Sequence, residues 1–278
     1  MSVLESIILG LIQGITEFLP VSSSGHLVLA QKIMGVSVPT LFFDIILHCG
    51  TLAAVIVALR NDVWNLLRHP FQRITALLIL ATAVTAGIAF VFKDRIEQAF
   101  SSGQWLGQAF LITALALFVS DYISRRPGRR RNDAEIDWLD ALLIGLFQGI
   151  AIVPGVSRSG LTLSGALSRR LERDLAARFS FLLAIPAILG ALLLQIRELY
   201  KSYHFQSVNP AAVTGFLTGV NPAALIAGTI TAALVGFFSV KLMLTIIRKR
   251  SLAGFGIYTA VLGLLVLLDQ MVFHVVSW

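Results

Sequence analysis

The sequence predicts an all-α integral membrane protein: six full transmembrane helices plus two re-entrant helical hairpins, arranged as an inverted-topology repeat. Three observations carry this. The 278 residues are 56% hydrophobic and 13% charged, with a mean hydropathy of +0.83, whereas a soluble domain has roughly twice that charged fraction. Several apolar runs reach 18 or 19 residues, close to the roughly 20 that a helix needs to cross a bilayer. Finally, residues 143–160 repeat residues 8–25 at a constant offset of 135, and nine of the 18 aligned positions are identical.

In chain order, residues 2–19 are apolar and stop at Pro20 and a serine run. Residues 24–35 resume a helical pattern and stop at Gly35. At about 1.5 Å per residue the second arm reaches only about 18 Å, too short to cross. The pair therefore reads as a re-entrant hairpin with its tip at 19–25. Irregular backbone at membrane depth is tolerated only where protein or a hydrated cavity satisfies it, so the tip implies a cavity. Full spans follow over 41–59, 74–92 and 105–123, separated by a short basic loop at 60–73 and a mixed-charge loop at 93–104. A strongly basic segment opens the loop 124–140.

The pattern then recurs. A second hairpin covers 141–153 and 159–168, and spans follow over 179–196, 223–240 and 253–275, with Pro186 expected to kink the fourth span. Residues 43–55 also align with 179–191 at an offset of 136. The chain is thus one membrane domain of two repeats, 1–123 and 141–278, joined by the basic loop. Three spans per half is an odd number, so the second half enters the membrane inverted. Two hairpins entering from opposite faces bring their tips together near the midplane.

The net charge of +7 and pI near 10.1 do not point to nucleic acid, because the basic residues sit in short loops between apolar runs. Sixteen of the 22 lysines and arginines fall in 60–73, 124–137, 169–178 and 241–252, which the repeat places on one face. Five fall on the other face, and Arg158 belongs to neither. This bias makes the richer face cytoplasmic, leaving both termini and the first hairpin's mouth outside. The single cysteine, Cys49, forms no intrachain disulfide, and no Cys/His spacing suggests zinc. The first residues lack a basic n-region, so no cleaved signal peptide is expected. Trp64, Trp105, Trp138 and Trp278 fall at predicted span ends, the interfacial position.

The two repeats differ where chemistry would sit. Glu17 aligns with Ile152, His26 with Leu161, and Ser23 with Arg158. Glu17 shares a helical face with Gln13, four residues earlier. An unpaired carboxylate at membrane depth is costly, so Glu17 reads as a metal ligand or a base rather than a cap. Ser22, Ser23 and Ser24 with His26 offer a nucleophile and a proton acceptor; the bland alternative is helix capping, with Ser24 a candidate N-cap. At the second tip, Ser157, Ser159, Gly160 and Thr162 lead into a helix, a ready anion site. Arg158 adds a planar fork suited to phosphate oxygens. Its alternative is a structural ion pair with Glu17. Asp44 and His48 share a face of the first span and either line the cavity, bind metal or bond each other. Gln13 and Gln148 occupy matched positions, which packing explains as well as catalysis does.

These residues resemble the undecaprenyl-diphosphate phosphatase family, known also for bacitracin resistance. The resemblance rests on Gln13 to Glu17 (Glu/Gln-x-x-x-Glu), on Pro-Val-Ser-Ser-Ser-Gly-His at 20–26 and on Pro-Gly-Val-Ser-Arg-Ser-Gly-Leu-Thr at 154–162. Phe43-Asp44, Leu47-His48 and residues 179–182 support it, and the similarity runs through nearly the whole chain. The first motif position, often Glu in the family, is Gln13 here. The resemblance implies a phosphatase in the bacterial inner membrane that acts at its outer face. It would take one phosphate from undecaprenyl diphosphate, giving the monophosphate carrier of cell-wall synthesis, and would need a divalent cation, Mg or Ca. On that reading Ser23 is the nucleophile and His26 its base, with attack by His26 or by water as rivals. Arg158 and the 157–160 backbone stabilise charge. Glu17, and as a second candidate Asp44, bind the cation. Ser22, Ser24, Ser157, Ser159, Gly160, Thr162 and Gln13 line the phosphate site. The competing class is a polyprenyl-phosphate flippase or other secondary transporter. Nothing in the sequence indicates an oligomeric state.

Overall fold

A computed structural model describes residues 1–36, 40–92, 104–205 and 221–276. Described elements are α1 Val3–Thr16, α2 Ser23–Ile33, α3 Thr40–Ala58, α4 Arg60–Arg68, α5 Arg73–Val91, α6 Leu106–Arg125, α7 Trp138–Ile150, α8 Arg158–Ser168, α9 Arg173–Phe205, α10 Pro222–Lys249 and α11 Ala253–Leu268, ending in a π-turn, Asp269–Phe273. Among the described residues there is no strand beyond one isolated bridge, Arg131 with Leu171. Among the described residues five helices are long and apolar enough to cross a membrane, and α3 with α4 makes a sixth if the bent pair counts as one span. Large apolar side chains such as Ile79, Phe90, Leu115, Leu193 and Phe238 are exposed on these helices. A soluble fold would bury such a surface; a lipid-facing one has no reason to.

Several expectations shift. The loop expected at 60–73 contains α4, which bends 79° from α3, with Leu59 between them as the break. The fourth span is longer than predicted, because α9 runs from Arg173 to Phe205, with Pro186 inside it. The loop at 93–103 and Trp278 lie outside the described residues. Trp105 and Trp138 stand at or beside helix starts, exposed, as interfacial tryptophans do.

Helix pairs at corresponding positions of the two halves pack alike: α1 against α10, and α7 against α5. Small residues permit this. A Cβ added at Gly14 would come within 2.8 Å of the Val235 Cβ, and one at Gly145 within 2.7 Å of the Ala81 carbonyl oxygen. Gly10 and Gly14, four apart, thus lie against Gly228 and Gly236, while Gly145 and Gly149 lie against Ala81 and Ile88. This is the small-xxx-small packing that lets helix backbones approach in lipid. Gly145→Val is expected to force α7 off α5 and cost ~1–3 kcal/mol, read as a lower thermal midpoint in detergent.

The four segments expected on one face do gather. Arg178 of α9 pairs with Asp62 of α4 at 2.9 Å, and Arg248 of α10 with Asp174 at 2.7 Å. Arg173 bonds the Ile247 carbonyl, and Arg73 that of Ala134. Here the linking loop is tied down by Asp137, the N-cap of α7, whose side chain accepts from the Asp140 N–H at 2.9 Å and pairs with Arg131 at 2.8 Å. Burial pushes the Asp137 carboxyl up, but the Asp140 N–H and the Arg131 charge outweigh it and hold it below the usual carboxylate value. The folded-state pKa is the lower one. This stabilisation is therefore present above the unfolded-state value and is lost as pH falls through the folded-state value. Asp137→Ala is expected to cost ~1 kcal/mol at neutral pH. Its difference from wild type should shrink in thermal melts run below about pH 4.

Candidate active site

Both hairpin tips are built alike. Ser22 is the N-cap of α2 and accepts from the Gly25 N–H at 3.2 Å; Ser157 is the N-cap of α8 and accepts from the Gly160 N–H at 3.1 Å. These caps occupy repeat-equivalent positions, and Ser22, not Ser24, is the cap of the first tip. Ser22 holds a left-handed backbone, φ 72°, a strained conformation for a residue with a Cβ. Ser24 and Ser159 clasp the tips together: the Ser24 hydroxyl accepts from the Gly155 N–H at 3.3 Å, and Ser159 donates to the Leu19 carbonyl at 2.9 Å. Gly155 itself sits at φ 87°, so glycine suits the close approach. Phe18 anchors the first tip, meeting Phe181 of α9 edge-on at 5.6 Å.

That clasp brings one carboxylate against one guanidinium. Glu17, at the C-terminus of α1 and 6% exposed, forms a short ion pair through Oε1 with Arg158 Nη2. Its other oxygen, Oε2, accepts from Ser23 Oγ at 2.5 Å and from Gln13 Nε2 at 3.0 Å. His48 Nε2 stands 3.6 Å from the same oxygen. His48 is held by donating Nδ1–H to the Asp44 carbonyl at 2.6 Å. The convergence of the tips is therefore observed, and four side chains meet at Glu17.

Arg158 is not saturated. Its Nη1 is buried and has no hydrogen-bond partner among the described residues, and neither has Gln13 Oε1. Buried polar atoms are rarely left unsatisfied. An unpaired guanidinium N–H calls for an anionic oxygen. An unpaired amide oxygen beside a carboxylate is the donor type that hard divalent cations take. Among the described residues no group of three His, Cys, Asp or Glu side chains is placed to hold a metal. Gln13 Oε1 fits as an oxygen ligand of a cation, and Glu17, whose oxygens hold Arg158, Ser23 and Gln13, would join it on yielding one of them. The Asp44 carboxylate is instead engaged by Gln31 Nε2 at 2.7 Å.

The structure does not pair Ser23 with His26. The His26 ring nitrogens meet the Ser22 carbonyl and the Tyr258 hydroxyl, each at 2.7 Å. A carbonyl only accepts, so Nδ1 carries the proton; in the neutral ring Nε2 is then the acceptor and Tyr258 donates to it. Tyr258 stacks on the imidazole at 5.7 Å, with Phe110 edge-on at 5.5 Å. Ser23 lies on Glu17 instead, because the cap at Ser22 turns the next residue inward while His26 faces α6 and α11. The remaining phosphate-site candidates have partners within the protein. Thr162 donates to the Arg158 carbonyl at 2.9 Å and bonds Ser180, while the Ser157 N–H donates to Thr113 at 2.9 Å. Gln148 donates to Thr85 at 3.1 Å. Sequence reasoning missed Tyr258 and Thr113, which lie in apolar helices with no motif to mark them.

The family model described as "Bacitracin resistance protein BacA" matches residues 6–265. A protein of Carboxydothermus hydrogenoformans named undecaprenyl-diphosphatase is 45% identical over 270 residues, 97% of this chain and 98% of its own. "Undecaprenyl-diphosphatase 3" of Bacillus cereus is 39% identical over the same shares, and an undecaprenyl-diphosphatase of Halothermothrix orenii is 36% identical over 98% of this chain and 100% of its own. With the family model spanning nearly the whole sequence and such relatives matching end to end, this chain belongs to the bacitracin resistance protein BacA family.

Proposed function

We propose that this protein is an integral-membrane phosphatase that hydrolyses undecaprenyl diphosphate to undecaprenyl phosphate and phosphate. It thereby recycles the lipid carrier of cell-wall synthesis and lowers sensitivity to bacitracin. One observation carries this: a buried carboxylate holding a serine hydroxyl faces a guanidinium whose second terminal nitrogen is unsatisfied. Family membership and the names of the relatives support it.

The isoprenoid tail lies among the exposed apolar helices and the diphosphate between the tips. Phosphoryl transfer is mainly positioning and charge stabilisation. Arg158 Nη1 binds a phosphate oxygen and stabilises the charge that develops there. Ser23 Oγ attacks the terminal phosphorus, the bond to the bridging oxygen breaks, and undecaprenyl phosphate leaves. The Ser23 proton passes to Glu17 Oε2, replacing His26 as the nearest acceptor. Water then hydrolyses the phosphoserine, releasing phosphate and restoring Ser23. A divalent cation, Mg or Ca, would be held by Glu17 and Gln13 and would neutralise diphosphate charge. His26 and Tyr258 flank the tip on the α11 side, where they orient the substrate.

The chain sits in the bacterial plasma membrane as six spans and two re-entrant hairpins, 1–123 and 141–278 forming inverted repeats. At 14 and 13 residues, α1 and α7 reach only about 20 Å and do not cross. The basic face is cytoplasmic, and the site opens outward.

The test is phosphate release by purified protein in detergent, with and without chelator. Release from a polyprenyl diphosphate without any gradient is expected; none would favour a translocase. Trapping during turnover and mapping by mass spectrometry is expected to find phosphate on Ser23. Phosphate on His26, or on neither residue, would overturn the assignment of the nucleophile.

A further inference from the structure

We infer that a second anion site, for the phosphate group of a phospholipid headgroup or of free phosphate, lies on the basic face where α6, α8 and α9 meet. A depression there is lined by Arg126, Arg130, Arg170 and Arg173 together with Ser124 and Gly128, and no acidic residue lines it. It is separate from the tips: Arg158 opens α8 and Arg170 follows its end, so the 11-residue helix sets them about 16 Å apart.

Some arginines on this face are neutralised. Arg125, Arg129, Arg131, Arg169, Arg178 and Arg248 each pair with a carboxylate. Three of those in the depression differ. Arg126 bonds and stacks on Tyr122, Arg130 donates to the Ser124 carbonyl, and Arg170 donates to the Pro127 carbonyl, all neutral partners. Arg173 is 8% exposed; it shares Asp121 with Arg125 and Ser251, and its buried Nε has no partner among the described residues.

The walls are built rather than splayed. Backbone bonds from Arg131 N–H to the Arg170 carbonyl (2.9 Å) and from Glu172 N–H to the Arg131 carbonyl (2.8 Å) fasten the loop to the end of α8. Arg170 holds a left-handed φ of 60°, and Gly128 sits at φ 144° beneath its guanidinium. Strained backbone of this kind collects at ligand clamps. Like charges held this close repel unless an anion joins them, and basic pockets between helices at this face suit lipid phosphates.

The inference does not depend on the phosphatase reading. The experiment uses the full chain purified in a maltoside detergent, titrated with inorganic phosphate in one arm and phosphatidylglycerol in the other, with phosphatidylcholine as control. Binding is read by native mass spectrometry and thermal shift. At about fivefold per arginine, R126Q/R130Q/R170Q is expected to weaken binding by roughly a hundredfold, and Arg130→Gln alone, which lies off the helices, by about fivefold. R60Q/R68Q/R250Q removes equal charge from the same face and is expected to leave binding unchanged. Phosphatidylglycerol alone binding identifies a headgroup site; both binding alike identifies a phosphate site. The proposal is overturned if wild type binds neither, if Arg130→Gln and the triple variant bind as wild type does, or if the control triple loses as much.

Discussion

Arg158→Ala is expected to abolish phosphate release from a polyprenyl diphosphate, lowering the rate by at least about a hundredfold, the loss seen when one preorganised charge-stabilising donor is removed. Arg158 is the guanidinium held at the tips, and its Nη1 has no hydrogen-bond partner among the described residues. Substitution also strands Glu17, since breaking a buried pair costs ~3–5 kcal/mol when the other charge remains. The variant's thermal midpoint should therefore fall, and R158A/E17Q should recover stability without recovering activity. Arg158→Lys keeps a charge but loses the fork, because one ammonium cannot hold Glu17 Oε1 and a phosphate oxygen in the planar geometry of guanidinium. It is expected to retain a small residual rate. Near-normal release from Arg158→Ala would remove the proposed role.

Glu17→Gln is the second large effect, again about a hundredfold or more on turnover. The amide keeps the size of the side chain and can still bond Ser23, so the fold persists. What it loses is a proton acceptor 2.5 Å from Ser23 Oγ and the negative charge opposite Arg158. Single-turnover measurement separates this from a binding defect. At saturating divalent cation the chemical step should slow while substrate affinity holds or rises, because Arg158 is freed for the phosphate. A loss confined to KM would mean that Glu17 only organises the tip.

The helices themselves were legible because lipid enforces long apolar runs, and every predicted span has a helix near it. The exceptions have physical causes. Helix α4 is short and half polar, so its pattern reads as a basic loop. The long α9 starts inside a charged segment, where Arg173, Asp174 and Arg178 find partners from other elements. Its extra turns are stabilised by tertiary ion pairs, which local periodicity does not display. The repeat made Glu17, Ser23 and Arg158 stand out, because each breaks the correspondence between otherwise matching tips.

The sequence by itself determined the membrane class, the two repeats, the gathering of basic loops on one face and the meeting of Glu17 with Arg158. All of these follow from hydropathy, spacing and charge along the chain. Only the tertiary structure decided which serine caps and which faces the carboxylate, that His48 stands beside Glu17, and that His26 turns to Tyr258 on α11. Those outcomes depend on the direction of individual side chains at a strained turn, and on partners more than two hundred residues away. No local pattern encodes such choices, because they are fixed only when the helices close on one another.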